Sequence, residues 1–452
     1  MAIDKTIGIA RHVGYKVLCD VYLKGAYSNL SIQKHFSVLK KSEDRALATA
    51  IIFGTLKKNI QLTKVVQKLS SIAYEQIKPE IAVLIKSALY QLFYMDRLPA
   101  YAVVNDSVNL TKFYISSKSG SFVNAVLRSA LRQGKASLFD EEKQEDFCAS
   151  LEKDYDIPDW LCHYLKNDFS QSFLHQWAQA YQRSPKMYVR VNLLKISVEQ
   201  AFDLLNKEQT VCAKTILPDV FEAVVASEVL RSKLFSEGAI VVQDMSSALC
   251  AYALEAQAGD SVLDLCAAPG GKSLHIASLT AGRAHITACD IYKNKTLFMK
   301  KQFAAMGVGN IQICRNDATV FNPAFEKKFD RVLTDVPCSG LGVIQRKPEI
   351  LLHLNEKKIA DLVQIQKSIL ENAAKYVKPK GVLVYSTCSI NPRENRYVTE
   401  AFLSANTHFS YSSVSLPKGA TEHLTNLPDG EIEIYPGDSF GDGFYICKMQ
   451  RA

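Results

Sequence analysis

No run of about 18 apolar residues occurs in this chain, so no membrane-spanning helix is expected. The N-terminus has neither a long apolar core nor a cleavage site, which argues against secretion. CxxC pairs and Cys/His zinc spacings are missing, so no metal site is expected. Low-complexity tracts are absent as well. The 11 cysteines are too sparse in 452 residues for a compact disulfide scaffold. Reduced thiols and a cytoplasmic setting fit best, with some cysteines left for chemistry. Neither G-x-G-x-x-G nor a Walker loop occurs, which disfavours dinucleotide and triphosphate binding.

The 452 residues suffice for two or three domains of roughly 100–200 residues. At 48% hydrophobic and 22% charged, the composition is globular. The net charge of +8 is uneven: residues 1–135 hold 20 Lys and Arg against 8 Asp and Glu, a balance of +12, which leaves −4 for the rest. A basic module beside a near-neutral one suggests a polyanion-binding domain, with a solvated lysine-rich surface as the alternative.

Apolar residues recur at helical spacing over 7–24 (Ile9, Val13, Val17, Val21), 44–58 and 80–94 (Ile81, Leu84, Ile85, Ala88, Leu89, Leu92). Pro99 opens a fourth helix, and a fifth contains residues 122–128. Strand signals are scarce, so residues 1–140 read as an all-α domain. The acidic stretch 140–146 marks a linker, and a helical stretch follows over 157–181. Residues 188–192 read as a strand and 198–207 as a helix, giving a linker and small α+β subdomain over 141–235. Gln243, Asp244 and the following serines either cap a helix or border a cofactor cleft.

From Asp260 strands and helices alternate, which implies a mostly parallel sheet for a third domain over 236–452. Val262-Leu-Asp-Leu-Cys266-Ala267-Ala268-Pro269-Gly270-Gly271-Lys272-Ser273 reads as strand, tight turn and helix. Glycines admit backbone N–H groups close to a ligand, and a helix N-terminus with Lys272 favours a carboxylate. An ordinary strand-to-helix turn would look similar. Acidic residues recur at strand ends: Asp264, Asp290, Asp317 and Asp335. Each alone is a plausible turn former or cap. Together, at the edge where doubly wound sheets bind ligands, they favour a nucleoside-containing cofactor, with Asp290 on ribose hydroxyls and Asp317 on an adenine amine.

Two strand-terminal loops carry cysteine: Thr334-Asp335-Val336-Pro337-Cys338-Ser339-Gly340 and Tyr385-Ser386-Thr387-Cys388-Ser389-Ile390-Asn391-Pro392. An isolated cysteine is usually a small buried hydrophobe. Two of them among polar turn residues at one sheet edge argue for chemistry. These loops, the 262–273 loop, Asp290, Asp317 and Gly441-Asp442-Gly443-Phe444-Tyr445 together resemble the RNA 5-methylcytosine methyltransferases that use S-adenosylmethionine. The N-terminal helices resemble the NusB-like RNA-binding fold, nearest over 99–109 and 122–128. The whole chain is thus similar to the bacterial ribosomal RNA family called RsmB, Fmu or Sun.

The resemblance implies a Rossmann-like methyltransferase domain behind a NusB-like domain and an α+β insert. It implies that Cys388 is the nucleophile, that Cys338 assists release and that Asp335 holds the target base. Lys272 would anchor cofactor or substrate groups. Residues Cys266, Ala267, Ala268, Pro269, Gly270, Gly271, Lys272, Asp290, Asp317 and Asp335 would line the S-adenosylmethionine site. The implied partner is RNA, foremost 16S ribosomal RNA, bound by a monomer without DNA, membrane or metal. Arg190, Arg346 and Lys347 are candidate backbone contacts, or solvated charges. Thr334 and Val336 depart from the alanine or proline of many relatives without altering the chemistry. A transfer RNA target and a non-catalytic RNA-binding factor remain alternatives. Methylation of protein or exocyclic amines is disfavoured, because that class has Asn-Pro-Pro-Tyr where this chain has Asp-Val-Pro-Cys.

Overall fold

The computed structural model describes residues 7–139, 146–207, 209, 211–417, 420, 430–437 and 441–452. These residues form two compact units, the first comprising 1–182 with 346–354 and the second the remainder.

The first unit is helical. Its helices Ile9–Lys24, Ser42–Lys57 and Pro79–Tyr94 are those the apolar spacing predicts, and Ala100–Tyr114 and Ser117–Phe139 are those expected after Pro99 and around 122–128. Their inward faces meet in one core, where Val17, Leu18, Val21, Ile51, Ile52, Ile85, Leu89, Val123 and Leu127 are all fully buried. Two further helices, Ser28–His35 and Asn59–Leu69, escape the periodicity. The first has only Leu30 and Ile32 as apolar residues, and the second follows its predecessor almost without a break.

Past residue 140 the first unit continues to residue 182. Residues 140–145 of the acidic stretch lie outside the described residues, while Asp146 caps the helix Phe147–Tyr155 by accepting from Ala149 N at 2.9 Å. The helical stretch 157–181 is two helices, Asp159–Leu165 and Gln171–Gln182, and both pack with the first unit. The buried Asp156 explains this: its carboxylate accepts from the N–H groups of Ile60 and Gln61, and Lys64 reaches Glu152 at 3.2 Å. Fully reduced thiols are not what the structure has either, because Cys148 and Cys162 form a disulfide across 5.4 Å between Cα atoms. Sulfurs 14 positions apart meet because two consecutive helices pack together. The donor atoms of Asp146, Cys148 and His163 also converge within 4.8 Å, but the Cys148 sulfur is already bonded.

The second unit holds two sheets. Strands β1 (Tyr188–Val191), β2 (Cys212–Lys214), β3 (Val220–Ala223) and β4 (Ile240–Val242) form an antiparallel sheet in the order β2-β3-β1-β4. Helix Val198–Leu205 accompanies it, started by a capping box between Ser197 and Gln200. The larger sheet contains β5 (Ser261–Asp264), β6 (His285–Asp290), β7 (Ile311–Arg315), β8 (Phe329–Asp335), β9 (Val377–Thr387), β10 (Phe409–Tyr411), β11 (Glu431–Ile434) and β12 (Phe444–Arg451). Its order is β10-β12-β9-β8-β5-β6-β7, with β11 also on β12. Strands β5 to β9 run parallel and β12 antiparallel to β9, a doubly wound Rossmann-like sheet.

Both faces of that sheet are covered. Neighbouring residues of one strand feed opposite cores: Val262, Leu333 and Val384 one layer, Leu263, Val332 and Leu383 the other. This is why both members of Val262-Leu263 and Val332-Leu333, and the whole run 382–385, are apolar. Helix Glu356–Tyr376 supplies Ile369, Leu370, Ala373 and Ala374 to the second layer at helical spacing. The winding direction reverses between β5 and β8, so the carboxyl ends of these two strands form the crevice where such sheets bind ligands.

Candidate active site

Strand register brings the predicted residues together. On adjacent strands β8 and β9, Asp335 lies opposite Ser386, and Val336 N donates to Ser386 O at 3.0 Å. Cys338 and Cys388 follow within three residues of this pair, so their loops leave one sheet edge side by side. Their sulfurs are 3.3 Å apart. The hydrogen bond to Cys388, and then burial, raise the Cys338 pKa well above that of a free thiol.

Asp335 stands at the winding reversal. One carboxylate oxygen accepts from Lys272 Nζ at 2.6 Å and the other from Ser386 Oγ at 3.0 Å. Lys272 projects from the first turn of helix Gly271–Leu279 and lies 5.2 Å from the centre of the Phe444 ring. Burial opposes its charge, but the Asp335 carboxylate outweighs that and raises the Lys272 pKa, so the ammonium persists. The Gly441–Tyr445 segment closes the same edge. Gly443 N donates to Gly342 O at 2.9 Å, and Gly342 N to Cys388 O at 3.0 Å. A Cβ on Gly342 would come within 2.0 Å of Gly443 O, so only glycine permits this approach.

The 262–273 loop turns at Gly270, whose φ of +105° suits glycine and whose Cβ would strike Phe303. Ala267 N donates to Cys289 O at 2.7 Å, pinning the loop across β6. Cys266 and Ala268 are partly buried and Ala267 fully; Ala268–Pro269 is a cis peptide. Asp290 ends β6, accepting from Tyr292 N at 2.9 Å with Lys295 Nζ at 3.5 Å. Asp317 follows β7, accepting from Thr319 N at 3.0 Å and Thr319 Oγ1 at 2.6 Å. Both therefore form their own turns at the carboxyl edge of the sheet.

Asp264 was legible only as one strand-end acid among four. It is fully buried, and burial raises its pKa to about 7 despite the hydrogen bond from Ser273 Oγ at 2.6 Å. Its Oδ1 has no hydrogen-bond partner among the described residues. A neutral or half-charged acid with a spare oxygen, the Gly270 turn, a helix N-terminus and the acids closing β6 and β7 suit a ligand bearing an amine, a carboxylate and hydroxyl groups.

Other expectations change. Arg190 cannot grip a phosphate: it is 1% exposed, and its Nε donates to Gln243 Oε1 at 2.7 Å. Strand β1 is buried along its whole length, so even its charged residue faces protein. Arg346 and Lys347 are half-buried within the first unit, with Lys347 Nζ 5.7 Å from the Tyr27 ring centre. Asp244 caps helix Met245–Leu254 through Ser246 and accepts from Asp442 N at 3.2 Å. Among the described residues no helix is long and apolar enough to cross a membrane.

Known proteins share this organisation. Residues 251–450 match the model of the 16S rRNA methyltransferase RsmB/F family, residues 9–132 that of the NusB family, and residues 157–224 the ferredoxin-like domain of RsmF/B-like methyltransferases. The probable ribosomal RNA small subunit methyltransferase B of Bacillus subtilis is 32% identical, over 98% of each chain. The ribosomal RNA small subunit methyltransferase B of Pasteurella multocida is also 32% identical, over 91% of this chain and 89% of its own. In fold, the crystal structure of PH0851 superposes over 100% of both chains with a TM-score of 0.86 at 24% identity. From these full-length matches, the chain belongs to the RsmB/F family of 16S rRNA methyltransferases.

Proposed function

We propose that this chain transfers a methyl group from S-adenosylmethionine to C5 of a cytosine in 16S ribosomal RNA. The 3.3 Å approach of Cys338 and Cys388 beside Asp335 carries the reading. Two thiols and an acid at one strand edge suit an addition followed by a release, not a single displacement. Cytosine C5 is a weak nucleophile. The Cys388 thiolate adds to C6, and the displaced electron pair makes C5 carbanion-like. Asp335, held by Lys272 and Ser386, bonds the exocyclic amine and N3 and favours protonation at N3. S-adenosylmethionine, when bound, supplies an electrophilic methyl group to C5. A base then takes the C5 proton, its electron pair restores the C5–C6 double bond, the C6–S bond breaks to return Cys388 as thiolate, and N3 gives up the proton it gained. Cys338, beside the departing sulfur, assists this release. The target base must leave its stack to reach these groups.

Asp290 and Asp317 would hold the ribose and adenine parts of the cofactor, with Lys272 and the 266–271 loop on its charged end. Residues 1–140, with their positive balance, would supply RNA affinity. The relatives' names favour small-subunit ribosomal RNA; the same chemistry would serve transfer RNA.

The test compares Cys388→Ala with Cys338→Ala, using labelled S-adenosylmethionine with 16S ribosomal RNA and with transfer RNA. Cys388→Ala should lose methylation and covalent RNA adducts together. Cys338→Ala should accumulate an RNA-linked band on denaturing gels. The band in Cys388→Ala instead would exchange the two roles. Its absence from both, with no trapping of wild type by 5-fluorocytosine RNA, would sink the covalent mechanism.

A further inference from the structure

We propose that Glu394 is a positioning residue that clamps the Cys338 loop to the Cys388 loop and thereby sets the approach of the two sulfurs. The inference rests on the covalent reading above and names a part of that machinery outside both cysteine motifs.

Glu394 is fully buried, between the two loops. Its Oε1 accepts from Ser339 N at 2.7 Å and from Gln366 Nε2 at 3.1 Å. Its Oε2 accepts from Ser389 Oγ at 2.8 Å, from Asn391 Nδ2 at 3.2 Å and from Ser339 Oγ. Ser339 and Ser389 each directly follow one of the cysteines, and their hydroxyls also meet at 2.9 Å. One side chain thus holds both loops at the residue next to each sulfur. Gln366, on helix Glu356–Tyr376, donates to Pro337 O at 3.0 Å as well, which ties the assembly to a rigid element.

The chemistry calls for a carboxylate. Five neutral donors converge, and only an ionised acid offers acceptor sites alone. An amide would present its NH2 to the Asn391 amide, although the serine hydroxyls could rotate to accept. An aspartate keeps the charge but is one methylene too short to span both loops. The backbone around Glu394 is held independently, since its carbonyl accepts from Tyr385 Oη at 2.6 Å and Asn395 bonds Thr387 Oγ1 at 2.6 Å and Ser389 O at 2.9 Å. A side-chain substitution therefore acts on the clamp more than on the fold.

The full chain with Glu394→Ala, Glu394→Gln and Glu394→Asp is compared with wild type in two arms. The first measures methylation of 16S ribosomal RNA and S-adenosylmethionine affinity by calorimetry. A loop displacement near 1 Å should lower kcat about 100-fold in Glu394→Ala while KM for RNA and cofactor affinity stay within about threefold. Gln should recover part of the loss and Asp none. The second arm needs no RNA. Diamide takes two electrons and two protons from Cys338 and Cys388 as one S–S bond forms, and peptide mass spectrometry follows that bond. Closure should slow by about tenfold in the Ala and Asp variants. Wild-type kcat and closure rate in Glu394→Ala, or in Glu394→Asp, would overturn the proposal. So would a kcat loss that only tracks lost cofactor affinity and lowered Tm. Should Glu394→Ala fail to fold, the Gln and Asp variants decide. If wild type methylates no cytosine yet closure slows in the variants, the clamp stands and the assigned reaction falls.

Discussion

Replacing Lys272 by Met separates what its ion pair does for the fold from what it does for chemistry. The ammonium sits 2.6 Å from Asp335, and the two side chains are 12% and 27% exposed. Met keeps the length of the alkyl chain and removes the charge. Breaking one side of a buried pair costs about 3–5 kcal/mol because the partner stays charged. Asp335 keeps the Ser386 hydrogen bond and some water, which places this site lower, at about 2–3 kcal/mol. In a unit of this size that lowers Tm by about 5–10 °C. Asp335→Asn should cost a similar amount, whereas the double variant should cost much less than the sum, with a coupling near 2 kcal/mol. Urea unfolding of the four proteins measures the cycle. All three variants should lose methylation, so stability would return in the double variant and activity would not. Additivity within about 0.5 kcal/mol would refute the pair as a structural link.

Three further outcomes follow from named groups. Burial raises Asp264 to about 7 from 3.8, so its contribution to stability is full below pH ~4 and is lost as pH rises through about 7. Wild type should lose up to about 4 kcal/mol across that window, and Asp264→Asn should flatten the slope in urea titrations at pH 4 to 8. Asp290→Ala should weaken S-adenosylmethionine binding about 10- to 100-fold in calorimetry, the worth of hydrogen bonds to a charged group; unchanged affinity would remove Asp290 from the site. In the first unit, Lys58, Lys64, Lys135 and Lys153 line one cavity of about 450 Å³. Lys135→Gln should lower the salt slope of RNA binding by about 0.7–0.9, the worth of one phosphate no longer neutralised. An unchanged slope and affinity would turn attention to protein docking.

Much of this molecule is written locally in its sequence. Three helices of the first unit follow from apolar spacing, because a residue's neighbours three and four positions away decide which face is buried, and Pro99 marks where a fourth begins. The alternation after Asp260, the tight turn at Gly270 and the cysteine loops at strand ends are equally local, and the family resemblance those motifs carry implies methyl transfer. Other features depend on residues far apart in sequence. Cys338 and Cys388 are 50 positions apart, and only the parallel register of β8 on β9 places their sulfurs together. Arg190 reads as a surface cation until its strand proves buried along its length. The helices between 147 and 182 join the first unit because Asp156 reaches backbone N–H groups nearly 100 residues earlier. Glu394 carries no signal as one acid among many, until five donors from three segments converge on it. Periodicity and turn chemistry are set by neighbouring residues, whereas pairing register, burial of charge and convergence of donors exist only once distant segments have packed.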